Sequence, residues 1–295
     1  MAPGLRDRAA PGRVAIVAGN GRIPVFVAER LAAAGRNPFI LAIEGEADSE
    51  LLRYEHETVY TTQVGVLLSA LRRVNPQEVV MVGGVKARPD LWRLRPDWTT
   101  LRLAARILPK LRHGDDALLR SVISMIEEAG FPVRGVHELV PELLADRGQI
   151  AGPRPSRRDR ETIAVAVKGA MALGALDAGQ ACVAVGKRIV ALEGAEGTDM
   201  MLQRVAELRA LGRIKGKRGG VLVKLAKPGQ DLRADLPTIG SATVENAQKA
   251  GLNGIAVQAE RALISDFATT CDQAKRASLF IVGIDPEMPE KAGED

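Results

Sequence analysis

The sequence predicts an α/β protein with two domains, an N-terminal Rossmann-like parallel sheet and a C-terminal mixed α/β domain. Apolar runs alternate with amphipathic helices through the first half, and such helices are the usual crossovers between parallel strands. In the second half, two β-branched runs flank Gly186 and Lys187, which is typical of a β-hairpin. The chain has 295 residues, a length typical of about two domains.

In the first half, each predicted strand is a short apolar run that ends near a glycine or a polar residue. These strands are predicted at residues 13–18, 38–43 and 78–82. Helical periodicity predicts helices at residues 24–34, 64–74 and 116–129. Gly35 is expected to end the first helix, and an extended segment around residues 131–137 is expected to complete this half.

The second half is predicted to open with an alanine-rich helix, followed by the hairpin. Helices are predicted at residues 160–173, 199–210, 243–250 and 265–276. Strands are predicted in the hairpin and at residues 221–225, 254–257 and 279–284.

Composition suggests where the domains begin and end. Residues 148–160 are rich in Gly, Pro and Arg, and we interpret them as a linker. The prediction is a disordered leader at 1–12, a Rossmann-like domain at 13–147, a catalytic α/β domain at 161–286 and a disordered tail at 287–295.

The bulk composition excludes several classes of protein. A net charge of +5 fits an anionic partner such as phosphate, nucleic acid or acidic lipid. The two cysteines form no Cys-x-x-Cys and the histidines have no zinc-type spacing, so a reducing cytoplasm is the simplest compartment. No apolar window is long enough to span a bilayer, so we expect any membrane contact to be peripheral.

Residues 224–243 carry an unusual density of charged and hydrogen-bonding side chains ahead of a predicted helix. Buried charges cost several kcal/mol unless they are paired, so a stabilising core has little use for them. Such a loop suits the binding of phosphate oxygens and of a divalent cation, although a solvated loop with local ion pairs explains it too. The candidate residues are Lys224, Lys227, Gln230, Asp231, Arg233, Asp235 and Thr238.

A second acidic segment, E-G-A-E-G-T-D at residues 193–199, lies between the hairpin and a helix. Thr198 or Asp199 alone would suffice to cap that helix, which is the simpler explanation. Yet acids recur at every third position with glycines between them. With Asp231 and Asp235 they give carboxylates on two loops of one domain, and carboxylate oxygens are the ligands that Mg²⁺ and Mn²⁺ prefer. We therefore predict a divalent-metal site.

A glycine turn, Gly19-Asn20-Gly21, follows the first strand and precedes a helix. Its amides and the helix N-terminus are suited to a phosphate, while a tight turn without a ligand explains the glycines equally well. The dinucleotide-binding fingerprint requires a third glycine where Pro24 stands, so the sequence argues against NAD.

Residues 91–112 form a basic stretch that contains both tryptophans of the chain. Cations and apolar residues on separate helical faces suit an anionic membrane surface or a lipid-bearing substrate, or simply a solvated helix. A nucleic-acid partner is disfavoured, because aromatic residues are only 3% of the chain.

Taken in order, these blocks resemble the UDP-2,3-diacylglucosamine pyrophosphatases of the LpxI type. The resemblance spans nearly the whole chain. It rests on the glycine turn with Pro24, G-D-D-A-L-L-R at residues 114–120, Leu176-Asp177 with Gly179-Gln180, E-G-T-D at 196–199, and K-P-x-Q-D-x-R-x-D-L-P-T-I-G at 227–240.

The resemblance implies a cytoplasmic enzyme of lipid A biosynthesis that uses Mg²⁺ or Mn²⁺ to hydrolyse UDP-2,3-diacylglucosamine to UMP and lipid X. It also implies two α/β domains and a homodimer, with Asp235 essential to turnover. We assign Asp235 and Asp231 to catalysis, and Asp199, Asp231 and Asp235 to the metal. The expected substrate-binding residues are Gly19, Asn20, Gly21, Thr198, Lys224, Lys227, Gln230, Arg233 and Thr238.

Two other functions fit parts of the sequence. An NAD-dependent oxidoreductase would use the N-terminal sheet, and Pro24 argues against it. A non-catalytic nucleotide- or lipid-binding regulator would use the acids only as helix caps, and it would form no product.

Overall fold

The computed structural model describes residues 12–85, 115–233 and 236–293. Contacts divide the chain into two compact units, Met1–Pro141 with Arg233–Asp235, and Glu142–Leu232 with Leu236–Asp295. Nearly all of the expected leader, the basic stretch at residues 91–112 and Asp235 lie outside the described residues.

Unit 1 contains a five-stranded sheet in which every neighbouring pair is parallel, in the order β3-β2-β1-β4-β5. Its strands are β1 (Val14–Ala18), β2 (Phe39–Ile43), β3 (Glu55–Val59), β4 (Glu78–Val82) and β5 (Val133–Arg134). The Rossmann-like prediction is thereby confirmed. β3 was not predicted, because this edge strand is largely exposed and has no apolar run.

The longer helices of unit 1 bury apolar side chains against this sheet. The helices of this unit are α1 (Arg22–Ala33), α2 (Val64–Val74), α3 (Asp115–Glu128) and the short α4 (Val136–Leu139), with 3-10 turns at Ser49–Arg53 and Pro141–Leu143. α2 shows why: its buried residues include Val64, Leu67, Leu68 and Leu71, at helical spacing, and Asn75 ends it in the left-handed conformation.

Unit 2 contains a mixed six-stranded sheet in the order β6-β13-β11-β9-β7-β8, and a two-stranded sheet of β10 and β12. The strands are β6 (Gly148–Ala151), β7 (Ala181–Val185), β8 (Arg188–Leu192), β9 (Val221–Lys224), β10 (Thr238–Ile239), β11 (Gly254–Gln258), β12 (Leu263–Ile264) and β13 (Phe280–Ile284). β9, β11 and β13 are parallel, while β6, β7 and β8 each run antiparallel to a neighbour. The predicted hairpin and mixed domain are confirmed.

The helices of unit 2 cover both faces of the six-stranded sheet. They are α5 (Arg157–Ala175), α6 (Gly197–Ala210), α7 (Ser241–Lys249) and α8 (Phe267–Arg276), with a 3-10 turn at Pro289–Lys291. Alternation along β9 sends Leu222 into the core with α6, α7 and α8, and sends Val221 and Val223 into the core with α5.

The structure differs from the sequence prediction at residues 148–160. This segment is not a bare linker, because it contains β6 and the first turn of α5. Its glycines mark corners, since Gly148 and Gly152 both have positive φ, and Ser156 caps α5 through the amide of Asp159. At the other end of the unit, the expected tail is described to Gly293, and Ala292 is buried against the α5 core.

Candidate functional site

Most of the predicted site residues of unit 2 lie at one edge of the six-stranded sheet, which we call the site edge. It is defined by the carboxyl ends of β9, β11 and β13, the place where α/β sheets bind ligands. The antiparallel hairpin brings its own loops there, because Ala181 is paired with Lys224 and Cys182 with Leu192. Residues 177–180 and 193–199 therefore meet the loop that follows β9.

A buried carboxylate organises the hairpin side of the site edge. Glu193 is 7% exposed and accepts hydrogen bonds from the backbone N–H of Gln180, at 2.9 Å, and from the Thr198 hydroxyl. The amide of Leu225 in turn donates to the Gln180 carbonyl oxygen, at 3.0 Å. Glu193 thus fixes Thr198 relative to the strand that carries Lys224.

Thr198 and Asp199 lie in the first turn of α6, so neither is its N-cap. The cap position belongs to Glu196, whose side chain makes no capping hydrogen bond and pairs instead with Arg204, at 3.0 Å. Asp199 is exposed, and its Oδ1 accepts a hydrogen bond from Asn246 Nδ2 on α7, at 3.0 Å. The capping explanation for this segment is therefore wrong for both residues.

The loop after β9 is held by side-chain oxygens that accept from its backbone. Gln258, at the end of β11, accepts from the amide of Ala226 at 3.1 Å, and Gln230 accepts from the amide of Lys227 at 3.0 Å. The Lys227 ammonium pairs with Asp177 at 2.8 Å. This leaves Lys227 anchored by its backbone while its charge lies beside a single, half-exposed carboxylate.

Lys224 and Thr238 meet on the same side of the sheet. Lys224 is 9% exposed, and its Nζ donates to the carbonyl oxygen of Thr238, at 3.0 Å. The Thr238 hydroxyl donates to the carbonyl oxygen of Leu236, at 3.0 Å. These contacts join the end of β9 to the start of β10.

Arg233 groups with unit 1 rather than with the rest of its loop. Its guanidinium pairs with Glu127 of α3, at 2.8 Å. Asp231, two residues earlier, is half-buried in unit 2, and Asp235 lies outside the described residues.

The predicted metal ligands are not gathered by the residues that the structure describes. Within residues 12–85, 115–233 and 236–293, no group of three or more His, Cys, Asp or Glu side chains is placed to hold a metal ion. The donors have the right chemistry, since carboxylate oxygens suit Mg²⁺ and Mn²⁺. The set depends on Asp235, however, and it stays a prediction.

In unit 1, the glycine turn is explained by close packing against the end of β4. The amides of Gly19 and Asn20 donate to the carbonyl oxygens of Val82 and Gly84, at 2.9 and 2.8 Å. A Cβ on Gly19 would lie 2.3 Å from the Gly84 oxygen, which only glycine avoids. The Asn20 side chain donates to Glu46 at 2.9 Å. Two of the three predicted amides are thus already used, and a phosphate contact by Gly19, Asn20 or Gly21 stays a prediction.

Comparison with known proteins shows the family. The model of the LpxI N-terminal domain matches residues 13–143, and that of the LpxI C-terminal domain matches residues 146–282. A UDP-2,3-diacylglucosamine pyrophosphatase LpxI from Caulobacter vibrioides is 38% identical over 276 residues, which cover 93% of this chain and 98% of that protein. The chain belongs to the LpxI family. The resemblance drawn from the sequence motifs is confirmed.

A solved structure of a GalE-like L-threonine dehydrogenase from Cupriavidus necator also matches this LpxI chain. It is 13% identical, covers 95% of this chain and 93% of its own, and has a TM-score of 0.26. A similarity that low carries no argument about the LpxI chain.

Sequence reasoning missed the polar residues that support the LpxI site edge. Glu193 was seen as part of an acidic run but not as its anchor, and Asp177 and Gln258 were not assigned to the site. Gln258 had a signal, because it is the polar residue that ends the apolar strand β11. In the part of the chain that the structure describes, no helix is long and apolar enough to cross a membrane.

Proposed function

We propose that this chain hydrolyses the pyrophosphate bond of UDP-2,3-diacylglucosamine to UMP and 2,3-diacylglucosamine 1-phosphate. The observation that carries the proposal is the similarity, over almost the full length of both chains, to the UDP-2,3-diacylglucosamine pyrophosphatase of Caulobacter vibrioides. That relationship makes the chain a hydrolase. The substrate and products are part of the proposal.

The cations at the site edge suit a substrate that carries two adjacent phosphates. Lys224 is held at the end of β9 by a carbonyl oxygen, and Lys227 is held by one carboxylate, that of Asp177. Both partners form charge-assisted hydrogen bonds with Lys227, but a pyrophosphate carries more negative charge than the half-exposed Asp177 carboxylate and can therefore displace it. In this proposal, Lys227 exchanges Asp177 for the substrate, while Lys224 stays fixed and neutralises developing charge.

The first turn of α6 offers hydrogen-bond donors to the same anion. Its amides lie at a helix N-terminus, where backbone donors and the helix dipole favour negative charge. Glu193 orients the Thr198 hydroxyl at this point. We assign the Thr198 amide and the Gln230 side-chain NH₂ to hydrogen bonds with the substrate, and we expect Thr238 to turn its hydroxyl from the Leu236 carbonyl oxygen to the anion. Arg233 and the Gly19–Gly21 turn are assigned to further phosphate contacts.

We also propose that hydrolysis depends on Mg²⁺ or Mn²⁺ bound by Asp199, Asp231 and Asp235. Such an ion would supply charge neutralisation and an acidified water. The support is the carboxylate chemistry of these residues and the position of Asp199 at the site edge. Asp235 is assigned the essential role, with Asp231 beside it in catalysis.

The first experiment is product analysis by mass spectrometry with UDP-2,3-diacylglucosamine, in Mg²⁺ or Mn²⁺ and in EDTA. We expect UMP and 2,3-diacylglucosamine 1-phosphate to be released in Mg²⁺ or Mn²⁺ and not in EDTA. Intact substrate in every arm, from folded protein, would contradict the proposed reaction and favour a non-catalytic binding protein. Equal turnover in EDTA would contradict metal dependence alone.

Asp235→Asn then tests the assigned catalytic residue. We expect kcat to fall by at least about a hundredfold, the usual scale for removing a catalytic acid–base group, with substrate affinity retained. The matched control is Asp272→Asn, which removes an exposed acid that pairs with Lys275 away from the site edge. Wild-type kcat in the Asp235 variant would remove this residue from the mechanism.

The family resemblance carries two further proposals about the working form of the chain. We propose a homodimer and a cytoplasmic location. Peripheral contact with the inner-membrane surface is a separate proposal, which rests on the basic stretch at residues 91–112 with its two tryptophans. Light scattering of the full chain tests the dimer, and cell fractionation tests the location and the membrane contact. A monomer at micromolar concentration would contradict the dimer.

A further inference from the structure

The edge of the unit 2 sheet opposite the site edge is strongly basic. Three connections meet there, because α6, α7 and α8 all end at this edge before β9, β11 and β13 begin. We call this surface the basic edge and define it by its exposed cations, Arg213, Lys215, Lys217, Arg218, Lys249 and Arg276. The hairpin turn between β7 and β8 adds an exposed Lys187 to it.

Hydrogen bonds to backbone carbonyl oxygens hold these segments together as one surface. The amide of Gly219 donates to the carbonyl oxygen of Gly251, at 2.8 Å, and Arg218 donates to the carbonyl oxygen of Ala277, at 3.1 Å. Arg209 donates to the carbonyl oxygens of Ala250, Gly216 and Gly219 at 2.7 to 2.8 Å. Ile214, in the loop between α6 and β9, is only 6% exposed and packs into the core. Arg213, Lys215 and Lys217 therefore lie on a loop whose backbone is fixed by hydrogen bonds and by packing.

Structural roles account for only some of this charge. Lys249 and Arg276 lie in the last turns of α7 and α8, where cations offset the helix dipole, and Lys249 also pairs with Glu245 at 2.6 Å. The backbone amide of Arg213 caps α6 by donating to the carbonyl oxygen of Leu208, at 2.9 Å. The side chains of Arg213, Lys215 and Lys217, however, form no ion pair with the residues that the structure describes. Three close, exposed and uncompensated cations favour an external anionic partner.

An exposed leucine beside these cations indicates which kind of anion. Leu211 ends α6 and is 75% exposed, two residues before Arg213. Cations around a protruding apolar side chain match the charged headgroups and acyl boundary of an anionic bilayer. Single-stranded nucleic acid is bound on stacked aromatic rings. Neither phenylalanine of unit 2 is available for stacking at this edge, because Phe280 is buried in the core and Phe267 lies at the start of α8, at the opposite end of that helix.

We propose that the basic edge docks unit 2 on an anionic bilayer surface, with Leu211 inserted among the headgroups and Arg213, Lys215 and Lys217 bound to their phosphates. This surface is separate from the residues assigned to hydrolysis, and the proposal does not depend on the reaction. It leaves the site edge, at the other end of the strands, away from the bilayer.

Flotation of the full-length protein with lipid vesicles tests the docking surface without any substrate. Vesicles of phosphatidylcholine alone are compared with vesicles that contain about one-third phosphatidylglycerol, at low salt and at high salt. We expect binding only to the anionic vesicles, and weakening as salt screens the charges.

Two variants separate the apolar and electrostatic contributions. Arg213→Glu/Lys215→Glu/Lys217→Glu should reduce the vesicle partition coefficient by about tenfold or more, since each cation near an anionic surface contributes measurably. Leu211→Ser should reduce it several-fold and should leave the salt dependence unchanged. The matched control is Lys168→Glu/Arg261→Glu/Lys291→Glu, which makes the same change in net charge at exposed positions off the basic edge.

Three results would overturn the proposal. They are absence of binding to anionic vesicles at low salt, wild-type binding by the basic-edge triple variant, and equal loss in the control triple variant. A gel-shift assay with RNA tests the alternative partner. If the wild type binds RNA but not vesicles, and the basic-edge triple variant loses RNA binding, the partner is a nucleic acid and not a membrane. Circular dichroism and Tm confirm that each variant is folded.

Discussion

Glu193 shows how one buried side chain couples the β7–β8 hairpin to the first turn of α6. Its two carboxylate oxygens receive one backbone donor and one hydroxyl donor, from Gln180 and Thr198. No Lys or Arg ion pair to it occurs among the described residues, so its burial depends on these hydrogen bonds. A group held in this way stabilises the fold and orients Thr198 at the same time.

Replacing Glu193 by alanine is predicted to destabilise the protein by about 1–3 kcal/mol, because the amide of Gln180 loses its acceptor inside the structure. Urea unfolding measures this change. Turnover should fall as well, since Thr198 is no longer oriented. Glu193→Gln is the matched variant: it keeps an acceptor for Gln180 and should recover most of the stability. Equal stability of the alanine variant and the wild type would show that Glu193 is not the anchor.

The residue scale also marks what sequence reasoning can and cannot find. The E-G-T-D run and the loop after β9 stand out in the sequence, because so many charges have no place in a core. The contact between Glu193 and Gln180 does not, since it exists only after β7 and β8 pair and bring residues 13 apart to 2.9 Å. The register of β7 against β8 cannot be predicted from the spacing of residues along the chain.

At the scale of elements, an ion-pair network links β4 of unit 1 to β5 and to the segment that precedes β2. Glu78, the first residue of β4, accepts hydrogen bonds from Arg36 at 2.6 Å and from Arg134 of β5 at 3.1 Å. Burial on its own would raise the pKa of Glu78, but these two hydrogen bonds outweigh it and lower the pKa below its ordinary value. The network therefore stabilises unit 1 only while Glu78 is ionised.

Glu78→Gln is predicted to destabilise the protein at pH 7 by about 1.5–3 kcal/mol, the scale of a hydrogen bond to a charged group. Because the folded pKa is depressed, this stability is complete above the unfolded pKa of about 4.3 and is lost as the pH falls through the folded value. Urea unfolding at pH 7 and near pH 3 measures it. Glu207→Gln, an exposed acid on α6, is the control. A deficit that persisted unchanged at low pH would contradict the role of charge.

Elements differ in how well the sequence predicts them, for physical reasons. β1, β2, β4, β9, β11 and β13 are apolar runs buried on both faces, so composition alone locates them. β3 and β6 are outermost strands of their sheets, with a partner strand on one side only, so they need fewer apolar residues. β10 and β12 have only two residues each. Such strands are defined by their partners rather than by their own sequence.

At the scale of the whole molecule, unit 2 has chemically different ends. Its parallel strands carry the polar loops of the site edge at one end and the basic edge at the other, because α6, α7 and α8 each return the chain from the site edge to the basic edge. The fold thereby places the residues proposed for hydrolysis and those proposed for membrane contact on separate loops. Changes in one set need not disturb the other, which is why the docking variants can be tested for binding and for turnover independently.

The thiols of unit 2 report its global stability. Cys182 is fully buried in the core with α5, where burial raises its pKa to about 12, and Cys271 lies in the core on the other face of the sheet, where burial also raises its pKa. The thiolate is the reactive form, so both groups are shielded twice, by exclusion of the reagent and by protonation.

We predict that neither thiol reacts measurably with Ellman's reagent at pH 8 in the native protein, and that both react when urea unfolds unit 2. The single variants Cys182→Ala and Cys271→Ala assign each signal to one face of the sheet. If both thiols appear in a single step that coincides with loss of circular dichroism, the two cores of unit 2 unfold together, as expected for cores that share one sheet. Reaction of Cys271 well before Cys182 would instead show that α8 detaches while α5 stays packed.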